Sequence, residues 1–482
     1  MKKLRFRHAI CILGIFLAIS AQAQTAESLS HVAKVYIGSF GDGRGADAMR
    51  TRLTNRIRAT GEPKLVANPQ EADAILIGTG HIWVTGYISL GVHPSPANRQ
   101  PVYDGFLSME VKGKAGAILW SYLVTPSRFP LNGVAYDLAD QLGKKFLEAL
   151  TQGSTEAPAI SVDQSTAQIS IHGAGATFPW PIYQKWFESF QEKSPNVSIH
   201  YDAVGSESGV EALIKGKVDF AASDMPLSDE TMLQSQVKFL HFASVLGAVV
   251  PIYNLPNVHS PLNFTQEALA GIYLGKIKRW NDPIIEASNH GVTLPDSPIA
   301  VIHRSDGSGT TFVWSDYLSK ISPEWKHRVG SGATVSWPVG QGAERNEGVA
   351  TLVNQTPNSI GYVELIYAIQ NELSSGAVRN ASGNFVRADL TSVTAAASSV
   401  DAANSDLRLS ITNAPGKQAY PIATFTWLLL PAKPASTQER SAMLGFLSWM
   451  LTTGQKQCAG LGYAPLPASI ADREMQILSS LK

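Results

Sequence analysis

The sequence predicts an α/β protein built from two or three folding units. At 482 residues the chain is too long for one compact core. After Gln168, short strand patterns alternate with amphipathic helix patterns, which predicts a parallel or mixed sheet with helices on both faces. A polar segment of small residues at 151–167 predicts a linker. We therefore expect a small α/β domain at residues 24–150 and a larger α/β region at residues 168–482.

The composition excludes some classes of partner. Hydrophobic residues make up 44% of the chain and charged residues 16%, which is typical of a globular protein. Lys and Arg together number 39, as do Asp and Glu, so no net charge attracts nucleic acid or anionic lipid. We expect no nucleic-acid partner, and any site for an anion must be local.

The first 23 residues have the pattern of a secretory signal peptide. A basic start precedes an apolar stretch and a small-residue motif, Ala-Gln-Ala, that ends at Ala23. The apolar stretch is about a dozen residues long, too short for a membrane helix. We expect cleavage after Ala23; the alternative is an uncleaved N-terminal anchor. Cys458 is the only cysteine beyond this segment, so we expect no internal disulfide and no cysteine-based metal site.

Residues 24–150 have the pattern of one small α/β domain. We predict a strand in HVAKVYIGSF and a helix in ADAMRTRLTNRIRAT, which places Met49, Leu53 and Ile57 on one face. Two longer strands are predicted in ADAILIGTGHIWVTGYISLGV and FLSMEVKGKAGAILWSYLV, and a closing helix in VAYDLADQLGKKFLEAL. The turn GDGRG could bind an anion, but we favour a simple flexible turn. Histidine and acidic residues here lack ligand spacing, so we expect no metal ion.

Three glycine-rich loops after Gln168 share one design. Each follows a predicted strand and precedes a predicted helix: GAGATFP at 173–179, VGSESG at 204–209 and RSDGSGTTF at 304–312. Ligands of open α/β sheets bind at the carboxyl ends of strands, beside helix N-termini whose first N–H groups lack internal partners. We expect Ser206 to cap its helix, and Arg304 adds a planar guanidinium that matches phosphate oxygens. Together the loops predict a site for a tetrahedral anion.

Five longer motifs make the larger region similar to a known family. In chain order they are GAGATFPWPIYQKWF, VDFAASDMPLSDE, IYLGKIKRWND, RSDGSGTTFVWSDYLSKISPEW and NSIGYVELIYA. Residues 168–482 thus resemble the periplasmic phosphate-binding proteins of high-affinity ABC phosphate importers, whose usual build does not include residues 24–150. The resemblance implies a two-lobed periplasmic-binding-protein fold of type II, with an extra small N-terminal α/β domain. It places lobe I at about 168–245 and 405–482, and lobe II at about 246–404.

The resemblance also implies a set of phosphate-binding residues. They are Thr177, Phe178, Ser206, Asp224, Arg304, Ser308, Gly309 and Thr310. Asp224 would accept a hydrogen bond, Arg304 would supply the charge, and the others would donate from hydroxyl or backbone N–H groups. Asp306 would hold the Arg304 guanidinium in place, and Glu207 stands where the family commonly has a small residue. No catalytic residue, cofactor or metal ion is implied.

The carboxylate of Asp224 explains how such a site would select phosphate. Phosphate keeps at least one proton near neutral pH, so an ionised Asp224 can accept a hydrogen bond from it. Sulfate carries no proton and would meet the carboxylate as a like charge. A hydrogen bond to a charged group is worth roughly 1.5–3 kcal/mol, and an unpaired buried charge costs more. We therefore expect an ionised Asp224 and exclusion of sulfate.

These patterns predict a periplasmic carrier of inorganic phosphate that delivers it to the membrane permease of an ABC importer. Two alternatives remain. The extra domain could make this an envelope interaction or sensing protein, with a possible envelope partner for residues 24–150. A phosphate-ester hydrolase is the other, but GSESG has Glu where a nucleophile elbow needs Ser, and no HExxH motif is present. We predict that the protein is not an enzyme.

Overall fold

The computed structural model describes residues 28–89, 99–126, 133–152, 168–235, 237–256, 258, 260–399, 407–433 and 436–481. The predicted signal peptide at 1–23 and residues 153–167 of the predicted linker lie outside these ranges. Thr151 and Gln152, also assigned to the linker, are the last residues of a helix instead.

The N-terminal domain is a sheet packed against two helices. The strands are β1 Lys34–Ile37, β2 Lys64–Leu65, β3 Ala74–Ser89, β4 Arg99–Gly113 and β5 Ile118–Val124. The helices are α1 Ala46–Thr60 and α2 Val134–Gln152. Within the described residues the strand order is β2-β1-β3-β4-β5. The predicted face of α1 is confirmed, because Met49, Leu53 and Ile57 are fully buried in one core with Leu138 and Phe146 of α2.

One strand prediction in this domain was wrong. The segment FLSMEVKGKAGAILWSYLV forms a hairpin of β4 and β5, not a single strand. Gly116 adopts a positive φ of 82°, and its N–H donates to the carbonyl of Gly113 at 2.9 Å. Glycine tolerates this left-handed conformation, so the chain turns here despite the continuous apolar pattern on either side.

The larger region contains the remaining elements. The strands are β6 Ile169–Gly175, β7 Val197–Asp202, β8 Phe220–Ser223, β9 Phe239–Asn254, β10 Asn263–Phe264, β11 Ala300–Arg304, β12 Gln341–Ala343, β13 Ser359–Glu364, β14 Ser374–Ser375, β15 Ala377–Arg379, β16 Phe385–Val386 and β17 Ala423–Pro431. The helices are α3 Trp180–Lys193, α4 Ser206–Ile214, α5 Asp229–Gln234, α6 Gln266–Tyr273, α7 Pro283–Glu286, α8 Gly309–Ile321, α9 Pro323–Arg328, α10 Arg345–Gln355, α11 Leu365–Gln370, α12 Leu390–Ala397, α13 Thr437–Trp449, α14 Gln455–Cys458 and α15 Ala468–Ser480. Short 3₁₀ turns lie at Leu29–His31, Pro69–Glu71 and Ala459–Leu461, and a π-helical turn at Met450–Gly454.

Two lobes share one long mixed sheet. In the described part of the chain its order is β12-β11-β13-β9-β17-β8-β6-β7, with β14 beside β9. Lobe I holds the parallel strands β6, β7 and β8, and lobe II holds the parallel strands β11, β12 and β13. Strand β9 runs through both lobes, since residues 239–248 pair with β17 and residues 249–254 pair with β13. This confirms the mixed α/β architecture with two lobes.

The three glycine-rich loops leave the carboxyl ends of parallel strands. They follow β6, β7 and β11 and lead into α3, α4 and α8. At Gly175 a Cβ atom would lie 2.1 Å from the carbonyl oxygen of Ala222, and the residue has φ +145°. Only glycine fits where β6 approaches β8 this closely. The carboxyl ends of both strands therefore lie side by side at the same cleft.

The N-terminal domain packs against both lobes. On β5, the Ser121 hydroxyl donates to the carbonyl of Lys456 at 2.6 Å and accepts from the N–H of Gly460 at 2.9 Å. On the lobe II side, Nε2 of His81 lies 3.1 Å from a carboxylate oxygen of Glu372. The extra domain is therefore in contact with both parts of the binding-protein fold.

Candidate anion-binding site

The three glycine-rich loops meet in a cleft between lobe I and lobe II. The predicted binding residues come together there, and their side chains are at most 3% exposed at Thr177, Phe178, Ser206, Asp224, Arg304, Ser308 and Thr310. Several hydrogen bonds cross the cleft. The N–H of Gly309 donates to Oγ of Ser206 at 3.1 Å, and Nδ2 of Asn346 donates to Oγ1 of Thr177 at 3.0 Å.

Arg304 is fixed in place by hydrogen bonds on several sides. It is the last residue of β11, and its N–H donates to the Tyr362 hydroxyl at 3.1 Å. Its Nε donates to Oδ1 of Asp306 at 2.7 Å, and Nη2 donates to Oδ2 of the same carboxylate. Nη1 lies 3.4 Å from Oγ1 of Thr310. The structure therefore brings Asp306 against the guanidinium, and the planar fork is held before any anion binds.

Asp306 remains charged in this environment. Burial alone would raise its pKa, but the hydrogen bond and the positive charge of Arg304 hold the pKa below its usual value. The N–H of Arg345 also donates to this carboxylate, at 3.1 Å. Asp306 thus offsets part of the Arg304 charge and fixes the direction in which its free N–H groups point.

The N-terminus of α8 supplies the next group of donors. Ser308 is the N-cap, and its Oγ accepts a hydrogen bond from the N–H of Thr311 at 3.1 Å. The prediction that Ser308, Gly309 and Thr310 lie at a helix start is confirmed. A Cβ atom on Gly309 would lie 2.4 Å from Oγ of Ser206 and 2.6 Å from Oδ2 of Asp224. Glycine is therefore required where α8 meets lobe I.

The prediction that Ser206 caps α4 was wrong. Gly205 is the cap residue, with φ 101°, and Ser206 is the first residue of the helix. A Cβ atom on residue 205 would lie 2.8 Å from the carbonyl oxygen of Gly307, so the cap position has no room for a side chain. The Ser206 hydroxyl faces the cleft instead, where its oxygen accepts from the N–H groups of Gly309 at 3.1 Å and Asp224 at 3.3 Å.

Asp224 has the most perturbed electrostatics among the predicted binding residues. It is 1% exposed, and the Thr426 hydroxyl donates to its Oδ1 at 2.6 Å. Burial raises the pKa of Asp224 to about 7, against the lowering effects of hydrogen bonds from Thr426 and Ser206 and of the Arg304 charge. Burial therefore opposes the expected ionisation of Asp224, because it moves the pKa of this carboxyl toward neutral pH.

Glu207 turns away from the predicted binding groups. Its side chain is exposed, and its carboxylate accepts a hydrogen bond from the Thr334 hydroxyl at 2.9 Å. Thr334 belongs to lobe II, so this contact bridges the rim of the cleft. The departure from the family pattern at Glu207 therefore adds an acid at the rim and not at the centre.

Sequence reasoning missed Asn346 and Thr426. Asn346 is fully buried in the first turn of α10; its Nδ2 donates to Thr177, and its Oδ1 accepts from the N–H of Glu364 at 3.1 Å. Thr426 lies in the apolar strand β17, where it binds Asp224. An asparagine at a helix start and a threonine in a strand are common, so neither has a local sequence signal.

The larger region of the chain is similar to known phosphate-binding proteins. Residues 161–453 match the family model described as a PBP superfamily domain. The chain is a member of that superfamily. The phosphate-binding protein PstS of Xylella fastidiosa (strain Temecula1) is 43% identical over 309 residues, which cover 64% of this chain and 84% of that protein. The phosphate-binding protein PstS of Pasteurella multocida is 40% identical over 311 residues, which cover 64% of this chain and 90% of that protein. The chain thus belongs with the PstS proteins within the superfamily.

A solved structure agrees on the fold. The structure of a high-affinity periplasmic phosphate-binding protein, PfluDING, bound with phosphate, superposes with a TM-score of 0.52 at 20% identity. The superposed part covers 64% of this chain and 93% of the PfluDING chain. The likeness supports the two-lobed fold.

The described ranges contain neither a membrane-spanning helix nor a cluster of metal-ligating side chains. None of the helices in these ranges is both long and apolar enough to cross a bilayer. Across the same residues, no three His, Cys, Asp or Glu side chains are grouped so that they could hold a metal ion. Cys458 is buried, and burial raises the pKa of its thiol.

Proposed function

We propose that this protein binds inorganic phosphate in the periplasm and delivers it to the membrane permease of an ABC-type importer. The observation that carries the proposal is the meeting of Arg304, Asp224 and the N-terminus of α8 in one buried cleft. The PstS relatives, which are named as phosphate-binding proteins, support it. We infer that the signal peptide at 1–23 is cleaved after export.

The hydroxyl groups of the cleft are oriented as donors. The oxygen atoms of Thr177, Ser308 and Thr310 each accept a hydrogen bond from an N–H group of the protein, whereas the Ser206 hydroxyl also bonds to the Asp224 carboxyl. A hydroxyl that accepts in this way keeps its own hydrogen for another acceptor. We infer that these hydrogens point to the phosphate oxygens, together with the free N–H groups of Arg304.

Two backbone N–H groups complete the proposed set. Phe178 precedes α3, and its N–H shares a peptide plane with the carbonyl of Thr177, which accepts from the Tyr367 hydroxyl at 2.7 Å and so holds that plane in place. Gly309 opens α8, where unpaired N–H groups and the helix dipole favour an anion. Its N–H donates to Ser206, so we infer that phosphate would compete for this hydrogen or share it.

Asp224 makes the proposed selectivity depend on pH. With its pKa raised to about 7, the protonated fraction of Asp224 grows as pH falls below 7. The ionised carboxylate accepts a hydrogen bond from the P–OH group of phosphate and repels sulfate, whereas the protonated form can donate a hydrogen bond to sulfate. We therefore expect the preference for phosphate to be strongest above pH 7 and to weaken below it.

Calorimetric titration with phosphate and sulfate at pH 8.5 and pH 5.5 tests this proposal. At pH 8.5 we expect wild-type protein to prefer phosphate by at least about 10²-fold, since it gains a charged hydrogen bond and sulfate meets repulsion. The ratio should fall at pH 5.5. In Asp224→Asn the ratio should be small and nearly independent of pH, while Asp296→Asn, at an exposed ion pair, should behave as wild type. Equal affinity for both anions at pH 8.5 would refute the proposal.

The alternatives have less support. The family consists of substrate-binding proteins, and we infer that this chain is not an enzyme; an assay with a phosphomonoester would test that directly. The comparisons give no support to an envelope partner for residues 24–150. We propose that residues 24–150 form one domain and that residues 168–482 form a second, two-lobed domain. Its lobe I comprises residues at about 168–245 and 405–482, and its lobe II residues at about 246–404.

A further inference from the structure

A second cavity lies between the N-terminal domain and lobe II. Its volume is about 480 Å³, and none of the eight proposed phosphate-binding residues lines it. Strands β3, β4 and β5 and helix α2 contribute one side, and α11, α12 and the segment between them contribute the other. The cavity is therefore a feature that the extra domain creates by packing against the binding-protein fold.

Much of the cavity wall is apolar. The apolar lining includes Tyr122, Leu123, Leu365, Ile369, Leu373 and Leu390. Lys145 packs over the Tyr122 ring, with its Nζ 5.7 Å from the ring centroid. An enclosed surface of this kind favours the apolar body of a small molecule.

Two buried N–H donors on this wall have no partner. Nε1 of Trp83 and Nε of Arg387 are buried, and neither has an acceptor among the described residues. Arg387 is otherwise held by Nη2, which donates to the carbonyl of Ser375 at 3.2 Å. Folded proteins rarely leave buried N–H groups unpaired, so two in one cavity point to an acceptor supplied from outside the chain.

The charges at the cavity favour an anionic acceptor. Arg387, Lys144 and Lys145 are cationic, and all three line the cavity. Asp104 lies there too; its Oδ1 accepts from the N–H of Gly105 at 2.8 Å. Burial raises the pKa of Asp104, although the charge of Arg387 and the bond from Gly105 lower it. Asp389, which caps α12, also lines the cavity, so the three cations outnumber the two acids there.

We propose that this cavity binds a small amphipathic acid, with an apolar body and one carboxylate. The carboxylate would accept hydrogen bonds from Trp83 and Arg387, and the lysines would favour its charge. The apolar body would lie against Tyr122 and Leu373. This site does not depend on the proposed phosphate function.

Calorimetry on the full chain tests the ligand class. The probes are octanoate and indole-3-acetate, each compared with its neutral amide, octanamide or indole-3-acetamide. We expect at least one of the acids to bind saturably at one site, and its amide to bind at least about 10-fold more weakly, because the amide lacks the charge. Absence of saturable binding by both acids, or equal affinity of acid and amide, would overturn the proposal.

Two variants locate the site. Trp83→Phe keeps an aromatic ring but removes the N–H, and Arg387→Met removes the guanidinium; each should weaken acid binding at least about 5-fold. Trp120→Phe, in the same domain but outside the cavity lining, should leave it unchanged. Phosphate titration of each variant reports whether the lobes are folded. If Arg387→Met does not fold, the effect of Trp83→Phe on acid binding tests the site by itself. Equal effects of Trp83→Phe and Trp120→Phe would contradict the site.

Discussion

The anion cleft and the cavity beneath the N-terminal domain both place an arginine near acidic residues, but they use it differently. In the cleft, Asp306 accepts from Nε and Nη2 of Arg304. In the cavity, Nε of Arg387 has no acceptor within the described ranges, and Asp104 binds a backbone N–H instead. The Arg304 guanidinium is held by a carboxylate, whereas the Arg387 guanidinium is held by one backbone carbonyl and retains an unpaired Nε donor.

This difference concerns preorganisation. A guanidinium already held in one orientation loses little conformational freedom when an anion binds, so more of the interaction energy appears as affinity. Asp306 provides that orientation in the cleft, at the cost of part of the positive charge. In the cavity one backbone carbonyl, that of Ser375, holds Arg387, and no carboxylate of the described residues accepts a hydrogen bond from it. We therefore expect the cavity to bind its ligand more weakly than the cleft binds phosphate.

Replacing the two arginines in turn would test the contrast most strongly. Arg304→Ala should lower phosphate affinity by about 10²–10³-fold, because the bound anion loses a buried, hydrogen-bonded charge partner, a loss that costs about 2–5 kcal/mol at binding interfaces. Arg387→Met should change phosphate affinity by less than about threefold, since it does not line the cleft. Both effects are measured by calorimetric titration with phosphate. A similar loss in the two variants would mean that the two regions are not independent.

The sequence allowed prediction of the fold where local signals and tertiary packing agree. The helix predicted in ADAMRTRLTNRIRAT has the bounds of α1, because glycines with positive φ flank it at Gly45 and Gly61 and its apolar face meets α2. The hairpin of β4 and β5 was missed because its turn interrupts an otherwise continuous strand pattern. Strand periodicity identifies which residues are extended, but it does not show where the chain reverses.

The cleft was predictable to the extent that its residues are contiguous. The segment from Arg304 to Thr310 contains the charge, its carboxylate partner and a helix start, so a short motif carries much of the geometry. Asn346 and Thr426 reach the cleft from other elements and have no such motif. The raised pKa of Asp224 depends on burial, which is a property of the packed lobes and not of the local sequence.

The cavity could not be predicted from the sequence at all. Trp83, Tyr122, Lys145 and Arg387 come from four separate elements or segments, and each is an ordinary residue in its own context. They face one another only because the N-terminal domain packs on lobe II. A site that forms only where two domains pack together therefore cannot be predicted from local sequence motifs.

Gly309→Ala would test how closely the two lobes must approach in the cleft. The new Cβ atom would lie 2.4 Å from Oγ of Ser206, so the lobes must shift apart. We expect phosphate affinity to fall by about 5- to 150-fold, which corresponds to about 1–3 kcal/mol of overpacking. Gly348→Ala is the matched control, because its Cβ atom would meet no neighbour closer than 3.7 Å. Unchanged phosphate binding in Gly309→Ala would show that the site forms without this contact.

The smallest effect is expected at the rim of the cleft, where Glu207→Ala removes both an acid and a bond to Thr334. Losing an exposed hydrogen bond weakens closure, while removing a negative charge favours an anion, so the two effects oppose each other. At 150 mM salt, where the screening length is about 8 Å, we expect phosphate affinity to change by less than about threefold. At 10 mM salt the repulsion is screened less, and the variant should bind phosphate more tightly than wild type does. Titrations at both salt concentrations, with Glu211→Ala as the control on the same helix, measure this; a loss above tenfold in Glu207→Ala would place its carboxylate in the binding site itself.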